Sequence, residues 1–201
     1  MSKEVKKGDS MFRDTLSLFL ITVIAGLLLG GVYKLTKAPI DQATLEAKKE
    51  SYRVVMPDAK DFEEQKELTK KLEAAKVEGC ELNEIVVAKA EDGTDVGYAV
   101  LVTSKEGYGG DIQFSIGIDA EGTVQGVEII SMSETAGLGA KCTEDEFKGQ
   151  YKGIQSEQLE VVKGEKSADN QISAISGATI TSNAITNAVN QVLAFVNGLK
   201  G

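Results

Sequence analysis

The chain changes its hydrophobic rhythm three times. Residues 16–32, LSLFLITVIAGLLLGGV, carry no charge and no polar face. With Tyr33, Lys34 and Leu35 the apolar run reaches about 20 residues, the length of a helix that crosses a bilayer. Lys34 can snorkel and Tyr33 suits a membrane interface. No A-x-A-like site follows Val32, so the pattern predicts an uncleaved anchor over residues 15–35 rather than a signal peptide. Lys3, Lys6, Lys7 and Arg13 precede it, and Lys34, Lys37, Lys48 and Lys49 follow, so the positive-inside rule is nearly balanced. Long domains translocate largely regardless of charge. That favours a short cytoplasmic N-terminus, residues 1–14, and a C-terminal domain outside.

Residues 36–83 form the second regime, a helical connector. Pro39 fits the first turn of a new helix, with Ile40, Ala43, Leu45, Ala47, Tyr52, Val55 and Met56 as a loose apolar stripe. Residues 61–77 are charged and mostly helical in pattern, a solvated face carrying Phe62, Leu68 and Leu72. From Glu84 the period becomes strand-like. Residues 85–88 and 96–102 flank the turn Glu91-Asp92-Gly93-Thr94, as in a hairpin. Residues 112–118 alternate apolar with small or polar, and residues 124–130 form another strand after Asp119-Ala120-Glu121-Gly122. This predicts an antiparallel meander, not a βαβ crossover. The chain ends in an amphipathic helix over about residues 181–197. Ile185, Ala188, Val189, Val192, Val196 and Leu199 lie on one face, and Gly198 is placed to stop it. Its other face, Asn183, Asn187, Asn190 and Gln191, either packs on the domain or a partner, or is solvated. The fold class is therefore α+β, with a domain at residues 84–201 behind one transmembrane helix.

Composition narrows the chemistry. The net charge of −9 argues against a nucleic-acid partner, and the absence of histidine removes the usual base and the commonest zinc ligand. Cys80 and Cys142 are too few for a metal site; they are either one bridge or two small buried residues. Gly-Lys-Ser/Thr and G-x-G-x-x-G phosphate loops are both absent. With no histidine and neither phosphate loop, the chain brings little catalytic equipment of its own, and hard chemistry would come from a bound cofactor. No metal site and no protein catalytic residue is expected.

Ser176-Gly177-Ala178-Thr179-Ile180-Thr181-Ser182 sits where a β-like run, residues 171–175, meets the last helix. Free N–H groups and the positive end of the helix dipole suit a phosphate there. The bland alternative is a tight turn with Ser176 or Thr179 as an N-cap. Upstream, Ser133-Glu134-Thr135-Ala136-Gly137-Leu138-Gly139-Ala140-Lys141 is a second small-residue loop that permits close backbone approach.

SGATITS resembles the flavinylation motif S/D-G-A-T/S-x-T of FMN-binding domains. Gly107-Tyr108-Gly109-Gly110, Gly117-Ile118-Asp119 and Glu134-Thr135-Ala136-Gly137-Leu138-Gly139 follow the order seen in the G subunit of the Rnf electron-transport complex. The related C subunit of the sodium-pumping NADH:quinone reductase has a similar layout. The resemblance implies FMN attached by a phosphoester to Thr181, installed by a flavin transferase that uses FAD. It implies a phosphate near Ser176, Gly177, Ala178 and Thr179. The ring would lie by Gly137, Leu138 and Gly139, with Leu138 as an apolar contact and Glu134 and Thr135 as hydrogen-bonding groups. Lys141 is either a partner of the phosphate or reduced flavin, or an ordinary surface lysine.

Met132 and Ala136 replace the histidine and proline often found in the family's loop. The implied function is that of a single-pass, membrane-anchored electron carrier, not a stand-alone enzyme. It would work among other subunits of an ion-translocating ferredoxin:NAD oxidoreductase. The alternatives are a component of the quinone reductase like its C subunit, or a non-redox extracytoplasmic anion-binding module.

Overall fold

The computed structural model describes residues 7–199. Lys3 and Lys6 of the N-terminal flank and the last two residues of the expected C-terminal domain lie outside the described residues. The chain divides into two units, one ending at Glu46 and the other beginning at Ala47.

The first unit is the body of helix α1 (Lys7–Val55). Every side chain from Met11 to Glu46 is exposed. The hydroxyls of Thr15, Ser17 and Thr22 donate to the carbonyls of Met11, Arg13 and Leu18, each at 2.8 Å. Back-bonding of this kind hides hydroxyls along an apolar helix. Pro39 lies inside α1 and does not start a new helix. Its missing N–H removes one bond, whereas a restart would require a fresh and unfavourable nucleus.

The second unit is built on a five-stranded antiparallel sheet in sequence order. The strands are β1 (Asp61–Glu64), β2 (Cys80–Lys89), β3 (Asp95–Ser104), β4 (Ile112–Asp119) and β5 (Val124–Ser131). The meander read from residues 85–130 is therefore present. β1 corrects the helical reading of residues 61–77: only α2 (Lys66–Ala74) is helical there. Asp61 to Glu64 pair with Lys89 to Val86. β1 is an edge strand held by main-chain pairing, and exposed charges suit an edge, so it carries no apolar alternation. Its one half-buried side chain, Phe62, meets Tyr52 with ring centroids 5.6 Å apart.

Both faces of the central strands are covered. Ile85, Val87, Val100 and Val102 point into the main core, with α4 (Thr179–Leu199) packed there. Val86, Ala88, Ala99 and Leu101 alternate with them and pack under Tyr52, Val55 and Met56. Gly117 and Gly126 face each other across β4 and β5, and Val55 rests on this pair. A Cβ at Gly117 would strike the Val55 carbonyl, and one at Gly126 would lie 3.3 Å from Val55 Cα. Two facing glycines thus let the C-terminal turn of α1 touch the sheet.

A parallel pair, β6 (Glu160–Val162) with β7 (Gln171–Ser173), leads into α4. Hydrogen bonds along its length lock that helix to the domain, among them Asn187 to Glu106 at 2.8 Å. The Ser104 hydroxyl donates to the Ala184 carbonyl at 2.8 Å, and the Tyr151 and Thr186 hydroxyls are 2.8 Å apart. Asn190 clamps Leu159, accepting its N–H at 2.7 Å and donating to its carbonyl at 2.9 Å. The asparagine face therefore packs on the domain at Asn190, while Asn183 is exposed. The helix starts at Thr179 and runs through Gly198 to Leu199, so that glycine does not end it.

Candidate functional site

Two segments 47 residues apart meet at one atom pair. The Thr181 hydroxyl donates to Glu134 Oε2 at 2.9 Å. Thr181 lies in the first turn of α4, and its side chain is turned in rather than out, leaving it 1 % exposed. What turns it is the junction before it. The Ala178 N–H donates to the Ile175 carbonyl at 2.9 Å, closing a tight turn whose third residue, Gly177, has φ +78°. That left-handed position is open to glycine without strain. Ser182 staples the turn from inside: its hydroxyl accepts the Ile175 N–H and donates to the Ala178 carbonyl, both at 3.0 Å.

Neither Ser176 nor Thr179 provides a side-chain cap among the described residues. Ser182, inside the helix, holds the turn instead and leaves the first amides of the helix uncapped. The first main-chain bond of α4 runs from the Ser182 N–H to Ala178. By helix geometry the amides of Thr179, Ile180 and Thr181 have no intrahelical acceptor and point along the positive end of the dipole.

Glu134 is fixed as firmly as Thr181. Its Oε1 accepts the Gly109 N–H at 3.1 Å. A Cβ at Gly107 would lie 2.9 Å from that oxygen. A Cβ at Gly139 would run into Glu134 Oε2 and approach Thr181 Oγ1 to 2.6 Å. Glycines at 107 and 139 therefore give the carboxylate room to reach the threonine. The Glu134 N–H also lies 3.3 Å from Met132 Sδ, so the methionine helps hold this loop. Directly behind, Cys142 is fully buried and unpaired, as Cys80 is unpaired. Burial, with the nearby Glu134 charge, pushes the Cys142 thiol up to about 11, so it stays neutral.

These parts border a cavity of about 610 Å³. Eight of the residues expected at the site line it: Glu134, Thr135, Leu138, Gly139, Gly177, Ala178, Thr179 and Thr181. Ser176 and Lys141 line a separate neighbouring cavity of about 250 Å³ with Glu144 and Gln150. Gly137 lines neither; it turns the chain at φ +76°. The cavity also includes Tyr108 and Ile180, which the sequence pattern alone does not single out. Their only signal is an aromatic within a run of glycines and an apolar residue set between two threonines. Tyr108, Leu138 and Ile180 are 71, 44 and 53 % exposed. Beyond Val54, they are the only exposed large apolar side chains among the described residues of the second unit.

An apolar rim, a polar floor and unpaired amides at a helix start are what a flat, phosphate-bearing ligand requires. The model of the FMN-binding domain family matches residues 107–194, which span both loops and most of α4. The G subunit of the Na(+)-translocating ferredoxin:NAD(+) oxidoreductase complex of Acetobacterium woodii is 35 % identical over 189 residues, covering 90 % of this chain and 88 % of that one. The proton-translocating counterpart of Clostridium ljungdahlii is 34 % identical, covering 98 % of this chain and all of its own. The chain belongs to the G-subunit family of Rnf-type ion-translocating oxidoreductase complexes.

Among solved structures, NqrC of Shewanella oneidensis aligns at TM-score 0.48 and 20 % identity, over 58 % of this chain and 60 % of that one. As a member of the Rnf family with an FMN-binding domain, the chain has one helix among the described residues that is long and apolar enough to cross a membrane, which fits a single-pass membrane protein. The residues present fit FMN: the cavity lies within the roughly 300–1,000 Å³ of small-molecule sites, and its apolar and anion-binding parts are separate.

Proposed function

We propose that this chain is a membrane-anchored electron-transfer subunit that carries FMN covalently, through a phosphoester to Thr181, within an Rnf-type complex. The observation that supports this most is the Thr181 hydroxyl on the floor of the cavity, one bond from Glu134 and beside the free amides of α4. The amides of Thr179, Ile180 and Thr181 would hold the phosphate. Tyr108, Leu138 and Ile180 would cover the ring and keep water from it, with Thr135 as a hydrogen-bonding group at the loop. Lys141, at the neighbouring cavity, would add positive potential without touching the ring. When bound, FMN supplies one- and two-electron transfer, and the protein contributes position and tuning.

In this reading residues 15–35 span the membrane and residues 1–14 are cytoplasmic. The domain faces outside, where a covalent link prevents cofactor loss. Its partners are the other subunits and, during maturation, a flavin transferase that takes FMN from FAD. The test is to produce the full chain with and without such a transferase, denature it, and record gel fluorescence and intact mass. An FMN-sized addition only with the transferase, lost in Thr181→Ala, is expected. Unmodified protein in both conditions, or an intact label in Thr181→Ala, would overturn the assignment.

A further inference from the structure

We propose that Glu134 is the general base for its own cofactor's attachment, taking the Thr181 proton as that oxygen attacks phosphorus. This deepens the covalent reading and rests on it. A threonine hydroxyl is a poor nucleophile and needs a base within about 2.6–3.2 Å. Glu134 Oε2, at 2.9 Å, is within that reach. It is the one carboxylate lining the cavity; Tyr108 is the only other ionisable side chain there, and the chain has no histidine. Glu144 and Glu146 line the neighbouring cavity instead.

The carboxylate is also oriented. The Gly109 N–H holds Oε1, which leaves Oε2 to face Thr181, and the bare Cα of Gly139 allows the two oxygens to meet. The arrangement draws on three separate segments: the 107–110 loop, the 134–139 loop and the start of α4. A carboxylate serving only to satisfy a buried hydroxyl would not need to border a cavity of ligand size.

The step balances without oxidation or reduction. Thr181–OH and FAD, a flavin dinucleotide with a phosphoanhydride, give the threonine–FMN phosphodiester and AMP. The bond formed joins Thr181 Oγ1 to the phosphorus on the FMN side. The bond broken is the anhydride P–O bond, whose electron pair leaves on AMP. The hydroxyl proton goes to Glu134 Oε2. The free amides of Thr179 and Ile180, at the positive end of α4, would offset negative charge on the phosphoryl oxygens.

The test is single-turnover labelling of the full-length chain in detergent, with saturating flavin transferase and FAD, read by intact mass. Glu134→Gln keeps the shape but lacks basicity, and its single amide oxygen can accept from Gly109 or from Thr181, not from both. Its maximal labelling rate should fall about 10²- to 10⁴-fold. Glu134→Asp keeps a carboxylate one methylene further away and should recover part of that loss. An unchanged melting temperature and circular dichroism spectrum would show that both variants fold. Thr181→Ala should take no label at all.

If wild type labels, Thr181→Ala does not, and Glu134→Gln labels at the wild-type maximal rate, Glu134 is not the base, although the attachment site stands. The same conclusion follows if Glu134→Gln raises only the transferase concentration needed for half-maximal rate. If wild type takes no label, or Thr181→Ala takes it, the covalent reading itself fails and this inference with it.

Discussion

The protein exposes apolar side chains in two places, and the two are built differently. Along the first unit they are continuous: Leu18, Ile21, Leu27, Leu28 and Leu29 are all exposed, with no charge between residues 16 and 32. Such a surface selects a solvent, since any apolar medium satisfies it. In the second unit, Val54 aside, the exposure narrows to Tyr108, Leu138 and Ile180 around one cavity, with a hydrogen-bonded Thr181–Glu134 pair as its floor. That surface suits a ligand rather than a solvent, because apolar area surrounds polar groups at fixed positions. Hydrophobicity alone does not distinguish the two. The arrangement of polar atoms beside it does.

The two surfaces differ most at Thr181. Thr181→Ala should abolish covalent flavin, whereas Thr181→Ser, which keeps the hydroxyl, should still take label at a reduced rate. Intact mass after incubation with a flavin transferase separates the two. The alanine variant also leaves Glu134 one donor short, a cost of about 1–3 kcal/mol. Its melting temperature should therefore fall modestly while its label vanishes completely.

Next in size is a change to the continuous surface. Arginine at Ile24, near the middle of the uncharged run, should cost about 2.5–3.5 kcal/mol of membrane insertion, or about a hundredfold in partition. Carbonate extraction of membranes would read this as a shift of the chain to the soluble fraction. Labelling of that fraction at the wild-type rate would show that the second surface works without the first. Wild-type chain recovered in the carbonate-soluble fraction would mean that the first unit is not acting as the anchor.

Gly139→Ala tests the packing of the polar floor. The added Cβ meets Glu134 Oε2 and Thr181 Oγ1, so one of them must move. Overpacking of this kind costs about 1–3 kcal/mol. Labelling should slow about tenfold or more, with a lower melting temperature. Gly149→Ala is the control, since its Cβ meets nothing within 4 Å and its effect on labelling should be nil.

Much of this is legible in the sequence where one physical pattern governs a stretch. β4 alternates because each residue's neighbours on the two faces differ, and α4 shows its buried face because that helix packs on one side. β1 is hidden because main-chain pairing to β2, not its charged side chains, makes it a strand. Pro39 misleads because a local helix-starter is outvoted by the turns around it. Of the site, both loops and Thr181 are marked by their small residues. The contact between Glu134 and Thr181 has no local sign, since a pairing 47 residues apart is created by the sheet and by the Ser182 staple. Tyr108 and Ile180 escape notice for a related reason: a single apolar residue in a polar loop becomes informative only once its neighbours in space are known.

The apolar rim should respond least to substitution. Leu138 is 44 % exposed, so truncating it to alanine removes little buried area and should leave the melting temperature nearly unchanged. Its Cδ2 would lie 3.1 Å from a Cβ at Gly177, which places it over the turn that opens α4. If the rim covers a bound ring, Leu138→Ala should leave the labelling rate within about threefold, because the reacting atoms are untouched. It should nevertheless raise quenching of the attached flavin by dissolved iodide. Val54→Ala removes a similarly exposed side chain elsewhere in the second unit and should change neither reading. Equal quenching in all three proteins would mean that the ring rests elsewhere, and that the rim of Tyr108, Leu138 and Ile180 is exposed for some other reason.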